Sequence, residues 1–130
     1  MNMIDTKDLK MIGHGLYGEV YRLSPQRVLK VYKTYDTKRY NLFLKDEIEG
    51  SKRKWSLPVI RTIKVRYNGR IVKGLVKRYI PNEFDSDHDF MRKIKENKIR
   101  LWCDDHYQNF RMDKKGNIYR IDTQLWKYVK

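Results

Sequence analysis

The sequence predicts an α+β domain: an antiparallel five-stranded sheet with one helix inserted in it, then a smaller part with a second helix and a short hairpin. Three observations predict it. Segments 59–67 and 71–80 are strand-like, the first alternating apolar residues with Lys and Arg, Asn68-Gly69 stands between them as a hairpin signal, and stretch 39–55 carries apolar residues at helical spacing. A chain of 130 residues with 40% hydrophobic content suits one domain, residues 1–130, with an N-terminal part to about residue 80 and a C-terminal part from about 81.

The elements follow in order. From Leu9, LKMIGHGLYGEVYRL places apolar residues on both sides of three glycines, and SPQR then supplies a turn before VLKVYK. This reads as strand, glycine turn, strand, tight turn, strand. A dinucleotide-binding fold would need a helix after the last glycine, whereas Val20 and Tyr21 favour a strand and Ser24-Pro25 breaks the chain too soon. From Arg39 to Trp55 an amphipathic helix is expected, with Phe43, Leu44, Ile48 and Trp55 on one stripe; Gly50 should weaken it and Pro58 should end it. In the strand that follows, Ile63, Val65 and Tyr67 alternate with Lys64 and Arg66, as in a half-exposed strand. The polar connector PNEFDSDHD offers Ser86 or Asp87 as the cap of a helix through FMRKIKENKIRLW. Last, NFRMDKKGNIYRID reads as a hairpin turning at DKKGN.

The formal net charge is +14, with Lys and Arg spread along the chain. Such a surface attracts polyanions: acidic proteins, nucleotides, or nucleic acid in a non-specific, salt-sensitive mode. No apolar run is long enough for a membrane span, and MNMIDTKDLK is too polar for a leader, so a soluble, unprocessed protein without membrane insertion is expected. One cysteine, Cys103, and three scattered histidines (His14, His88, His106) point away from disulfide and zinc frameworks and toward a cytoplasmic setting.

The stretch Gly13-His14-Gly15-Leu16-Tyr17-Gly18-Glu19-Val20, followed one strand later by Lys30 in VLK, resembles the glycine-rich loop and lysine of the protein kinase family. The resemblance continues along the chain. WCDDHYQNF holds Asp104 and Asn109 at the D-x-x-x-x-N spacing of the kinase catalytic loop, and YRIDTQ puts Asp122 where the family keeps the aspartate of D-F-G. Trp102 and Cys103 replace the His and Arg of H-R-D, Thr123 and Gln124 replace Phe and Gly, and His106 gives the D-x-H-x-x-N variant found in aminoglycoside and choline kinases.

The resemblance implies a protein kinase-like fold in minimal form, similar to compact bacterial or phage-type kinases: an N-lobe sheet with an αC-like helix, and a truncated C-lobe without activation loop or A-P-E motif. It implies an ATP- and Mg2+-dependent phosphotransferase acting on a protein Ser or Thr. Ile12, Gly13, Gly15, Tyr17, Gly18 and Val20 would cover the nucleotide, Tyr79 and Ile80 would flank it at the hinge, and Lys30 would hold its phosphates. Glu47, which borders the apolar stripe of its helix more closely than Glu49 does, would pair with Lys30. Asn109 and Asp122 would bind magnesium, and Asp104 would orient the attacking hydroxyl. Two alternatives stay open. One is a pseudokinase or basic adaptor whose strand faces, with Lys64, Arg66, Lys73 and Lys77, contact nucleic acid or an acidic partner; the other is a small-molecule kinase. The sequence leaves the oligomeric state open.

Overall fold

The computed structural model describes residues 3–15, 17–81, 84–102 and 107–123. The chain is α+β and divides into two compact units, Met1–Leu44 with Val59–Tyr79, and Lys45–Pro58 with Ile80–Lys130. The first boundary falls inside the inserted helix.

In the first unit five antiparallel strands, β1 (Lys10–His14), β2 (Gly18–Ser24), β3 (Arg27–Tyr32), β4 (Arg61–Tyr67) and β5 (Arg70–Arg78), lie in the order β1-β2-β3-β5-β4. Both tight turns have local causes. Arg22 reaches over Pro25-Gln26 and donates to the Ser24 and Pro25 carbonyls at 2.7 and 2.6 Å. Asn68 and Gly69 take φ of 50° and 77°, the pair of positive values that a two-residue hairpin matched to strand twist requires.

The registers Tyr21↔Leu29, Leu29↔Val76 and Val65↔Val72 put one parity of each strand on a single face. That face holds a core of Tyr21, Leu29, Val31, Val65, Tyr67 and Val76, with Leu9, Leu23, Ile63 and Val72 packed against it. Gly74 belongs to the same face, and a Cβ there would run into the buried Leu29 side chain. The segment entering β1 crosses to the far edge of the sheet, where the Ile4 carbonyl accepts the Arg66 N–H at 2.8 Å and the Asp5 backbone forms an isolated parallel β-bridge with that of Arg66. Edge strand β4 is thereby covered at that point.

Helix α1 spans Thr37–Gly50 and so differs from the expected 39–55 at both ends. It starts earlier because the Asp36 carboxylate accepts the Arg39 N–H at 3.1 Å. It stops at Gly50, a poor helix former, where the Ser51 hydroxyl donates to the Ile48 carbonyl and the N–H groups of Lys52 and Arg53 bond three residues back. Trp55 lies beyond the helix with φ 67°. Within the first unit the Tyr40 and Phe43 rings pack 5.2 and 5.6 Å from that of Tyr32, and the Tyr40 hydroxyl donates to the Lys73 carbonyl at 2.6 Å.

In the second unit α2 runs over Asp87–Glu96 rather than through to Trp102. Ser86 is the cap, its hydroxyl accepting the Asp89 N–H at 3.1 Å. The helix ends in a left-handed turn carried by Lys98 (φ 55°): Lys98 N–H bonds Lys95 O, Ile99 N–H bonds Ile94 O, and both isoleucines enter the core. No glycine marks this stop, which is why the sequence extends the helix too far. Strands β6 (Phe110–Met112) and β7 (Ile118–Arg120) close around a turn in which the Asp113 carboxylate accepts from the Lys115 and Asn117 N–H groups. The core here is Phe84, Phe90, Ile94, Ile99, Phe110 and Ile118. Among the described residues no helix is long and apolar enough to cross a membrane.

Candidate functional site

The first unit brings together the glycine stretch, Val20 and Lys30. Ile12 and Gly13 lie on β1, and Gly13 is paired with Val20. The Gly15 N–H donates to Gly18 O at 2.9 Å, closing the turn, and a Cβ on Gly15 would meet nothing within 4 Å. None of Gly13, Gly15 and Gly18 uses a positive φ, so conformational freedom does not explain them. Steric fit does at Gly18, where a Cβ would stand 2.9 Å from the Val31 carbonyl and 3.2 Å from Lys30 Cε.

Gly18 pairs with Tyr32 and Val20 with Lys30, so all four share the sheet face opposite the core. The Lys30 stem therefore passes beside the bare backbone of Gly18, and its ammonium lies 5.6 Å from the centre of the Tyr32 ring. Tyr17 is half exposed, its ring edge-on to Phe43 at 5.6 Å. Tyr79 is tied to the β2–β3 turn by its N–H to Gln26 O, at 2.8 Å, and by the Arg22 guanidinium 3.8 Å above its ring.

The second unit holds Ile80, Glu47, Asn109 and Asp122. Ile80 is buried. Glu47 is fully buried whereas Glu49 is partly exposed, and the Thr123 hydroxyl, also fully buried, donates to the Glu47 carbonyl at 2.8 Å. Asn109 ends a 3-10 turn (Tyr107–Asn109) immediately before β6, and Asp122 follows β7 by two residues. The Ile121 N–H donates to Asn109 O at 2.7 Å, so Asn109 and Asp122 lie at the same end of the β6–β7 hairpin. An amide oxygen and one carboxylate are hard ligands suited to magnesium when phosphates supply the rest of the shell. Among the described residues no group of three His, Cys, Asp or Glu converges to hold a metal by itself. Asp104 and His106 lie outside the described residues.

Two polar groups, one buried and one half-buried, escape the sequence reading. Arg120 is almost fully buried, its guanidinium 3.9 Å from the Trp102 ring centre and 5.0 Å from that of Phe110, while it donates to the Arg100 carbonyl at 2.8 Å. It shares the parity of the buried Ile118, which is the signal that could have found it. Glu19 lies on the core face of β2 and accepts hydrogen bonds from the Tyr21 and Tyr67 hydroxyls. Burial and the neighbouring Glu19 carboxylate push both phenols up. Lys77, expected on the contact surface, is instead 3% exposed, paired in register with Val28.

Compared with models of known protein families and with curated proteins, the chain matches none.

Proposed function

We propose that the protein binds ATP with Mg2+ through a minimal protein kinase-like fold and transfers the terminal phosphoryl group to a hydroxyl of a protein Ser or Thr. The observation that carries the reading is the apposition in the first unit of Gly18, Val20 and Lys30 on one sheet face, with the lysine stem against a glycine where any side chain would collide. Backbone N–H groups of the glycine stretch cradle phosphates, Val20 supplies apolar contact for the base, and Lys30 supplies the cation. In the second unit Asn109 and Asp122 hold the magnesium that neutralises phosphate charge. Glu47 is a buried carboxylate of the second unit, and Asp104 positions the acceptor hydroxyl.

A second reading, nucleotide binding without transfer, draws on Thr123. Its hydroxyl is committed to the Glu47 carbonyl, which anchors the residue after Asp122. Calorimetric titration of MgATP into the wild type, Lys30→Met and Asp122→Ala tests binding. Saturable, magnesium-dependent heat that weakens about tenfold or more in each variant is expected from the loss of one charge-assisted contact; absence of heat in the wild type ends both readings. Phosphate transfer to protein by the wild type and not by Asp104→Ala separates the enzyme from the binder.

A further inference from the structure

From Ser51 to Asn82 the sequence has ten Lys and Arg and no Asp or Glu. The fold gathers three exposed cations of the β4–β5 hairpin on one face. Ile63, Val65, Tyr67, Val72 and Val76 face the core, while Lys64, Arg66 and Lys73 are exposed on the opposite side. Lys64 is the direct cross-strand partner of Lys73, and Arg66 that of Ile71. Like charges placed opposite one another on a sheet face destabilise the pair. Among the described residues no carboxylate forms an ion pair with any of the three cations. Lys64 and Arg66, two residues apart on one strand, are spaced by about 6.8 Å, with Lys73 about 5 Å across the ladder.

We propose that this outer face of the β4–β5 hairpin is a docking surface for the phosphate backbone of nucleic acid, bound without sequence preference. An anion between Lys64 and Lys73 removes the repulsion that the register creates. The composition of the face selects among polyanions. Protein interfaces have cores depleted in Lys and anchored by aromatic side chains, and a membrane-binding face needs an apolar stripe to insert. This face offers three cations and a single exposed apolar residue, Ile71. Its three cations sit on a regular strand pair rather than on a helix or loop that enters a groove, so its contacts are assigned to the phosphate backbone and its affinity falls with salt. The proposal is independent of phosphoryl transfer.

The test is fluorescence anisotropy of a labelled DNA duplex of random sequence against the full chain over a range of salt concentrations. The triple variant Lys64→Gln, Arg66→Gln, Lys73→Gln is compared with Lys95→Gln, Lys114→Gln, Lys115→Gln, which removes the same charge from exposed positions in the second unit. Wild type and the second variant should bind alike. The hairpin variant should lose about 2.7 from the slope of log K against log salt, from about 0.9 per phosphate contact. All six positions are exposed, and an unchanged melting temperature checks that each variant is folded. Equal loss in both variants would reduce the effect to net charge and overturn the surface. Tighter hairpin-dependent binding to polyglutamate or to phosphatidylserine vesicles than to DNA would overturn its assignment to nucleic acid.

Discussion

The two units solve the same problem, burying a core without stranding backbone polar groups, in different ways. The first does it with long ladders: β4 and β5 pair over seven consecutive residues, and the core side chains follow from strand parity alone. The second has strands of three residues and compensates with aromatic packing and long-range donors. Phe84, Tyr107 and Phe110 lie 5.3, 5.6 and 5.3 Å from Phe90 in tilted or edge-on geometry. Its loops are fastened by Arg120 N–H to Trp55 O, Leu57 N–H to Arg120 O and the Arg120 guanidinium to Arg100 O. A regular ladder distributes stability over many similar contacts, whereas an aromatic cluster with a buried guanidinium concentrates it in a few.

The sharpest way to break this comparison is Phe110→Ala. Phe110 is fully buried among Phe90 and Arg120, and its loss should cost the second unit about 3–5 kcal/mol. Residue-resolved hydrogen exchange should show protection falling in α2, β6 and β7 while β2, β3 and β5 hold. An equal loss in both units would mean that they unfold together and that the contrast is one of composition only.

A smaller effect is expected in the first unit from Tyr67→Phe, which removes one of the two phenol donors to Glu19 and should cost about 1–2 kcal/mol. Burial and then the Glu19 acceptor raise the Tyr67 phenol above its ordinary value. Because the folded form holds this proton more tightly, its contribution is complete below about pH 10, the unfolded tyrosine value, and falls as pH rises above it. The stability gap between wild type and variant should therefore narrow in strong alkali. A constant gap across the alkaline range would remove the link to ionisation.

The smallest effect sharpens the comparison at the start of α2. The Asp85 N–H, then the Lys93 ammonium and the Arg92 guanidinium, hold the Asp89 carboxyl down at about 2. A depressed carboxyl stabilises the fold above the unfolded value near 4 and loses that contribution as pH falls toward 2. Asp89→Asn should lower the melting temperature modestly at neutral pH, with the difference vanishing near pH 2. An undiminished difference at that pH would assign the role of Asp89 to shape rather than charge.

Much of this was legible in residue order. Period-two alternation located β4, and Asn68-Gly69 located the turn that joins it to β5, because parity and positive φ are local properties that few residues satisfy. Ser86 was legible as one of two caps, and Asp113 to Asn117 as a turn, for the same reason. The ends of both helices were not. Gly50 and Lys98 stop them through carbonyl partners and, at Lys98, through the burial of Ile94 and Ile99, which no local pattern states.

Within the candidate site the residue types and their order come from the sequence alone: three glycines before Val20, Lys30 on the next strand, Asn109 and Asp122 on either side of a hairpin. Tertiary structure decided the rest. It made Gly18 a steric necessity by laying β3 against it, brought Asn109 and Asp122 to one hairpin end, and buried Lys77 while leaving Lys64 and Lys73 exposed opposite one another. The physical reason is that charge and propensity belong to each residue, whereas burial and cross-strand neighbours belong to the register, which exists only once the strands have paired.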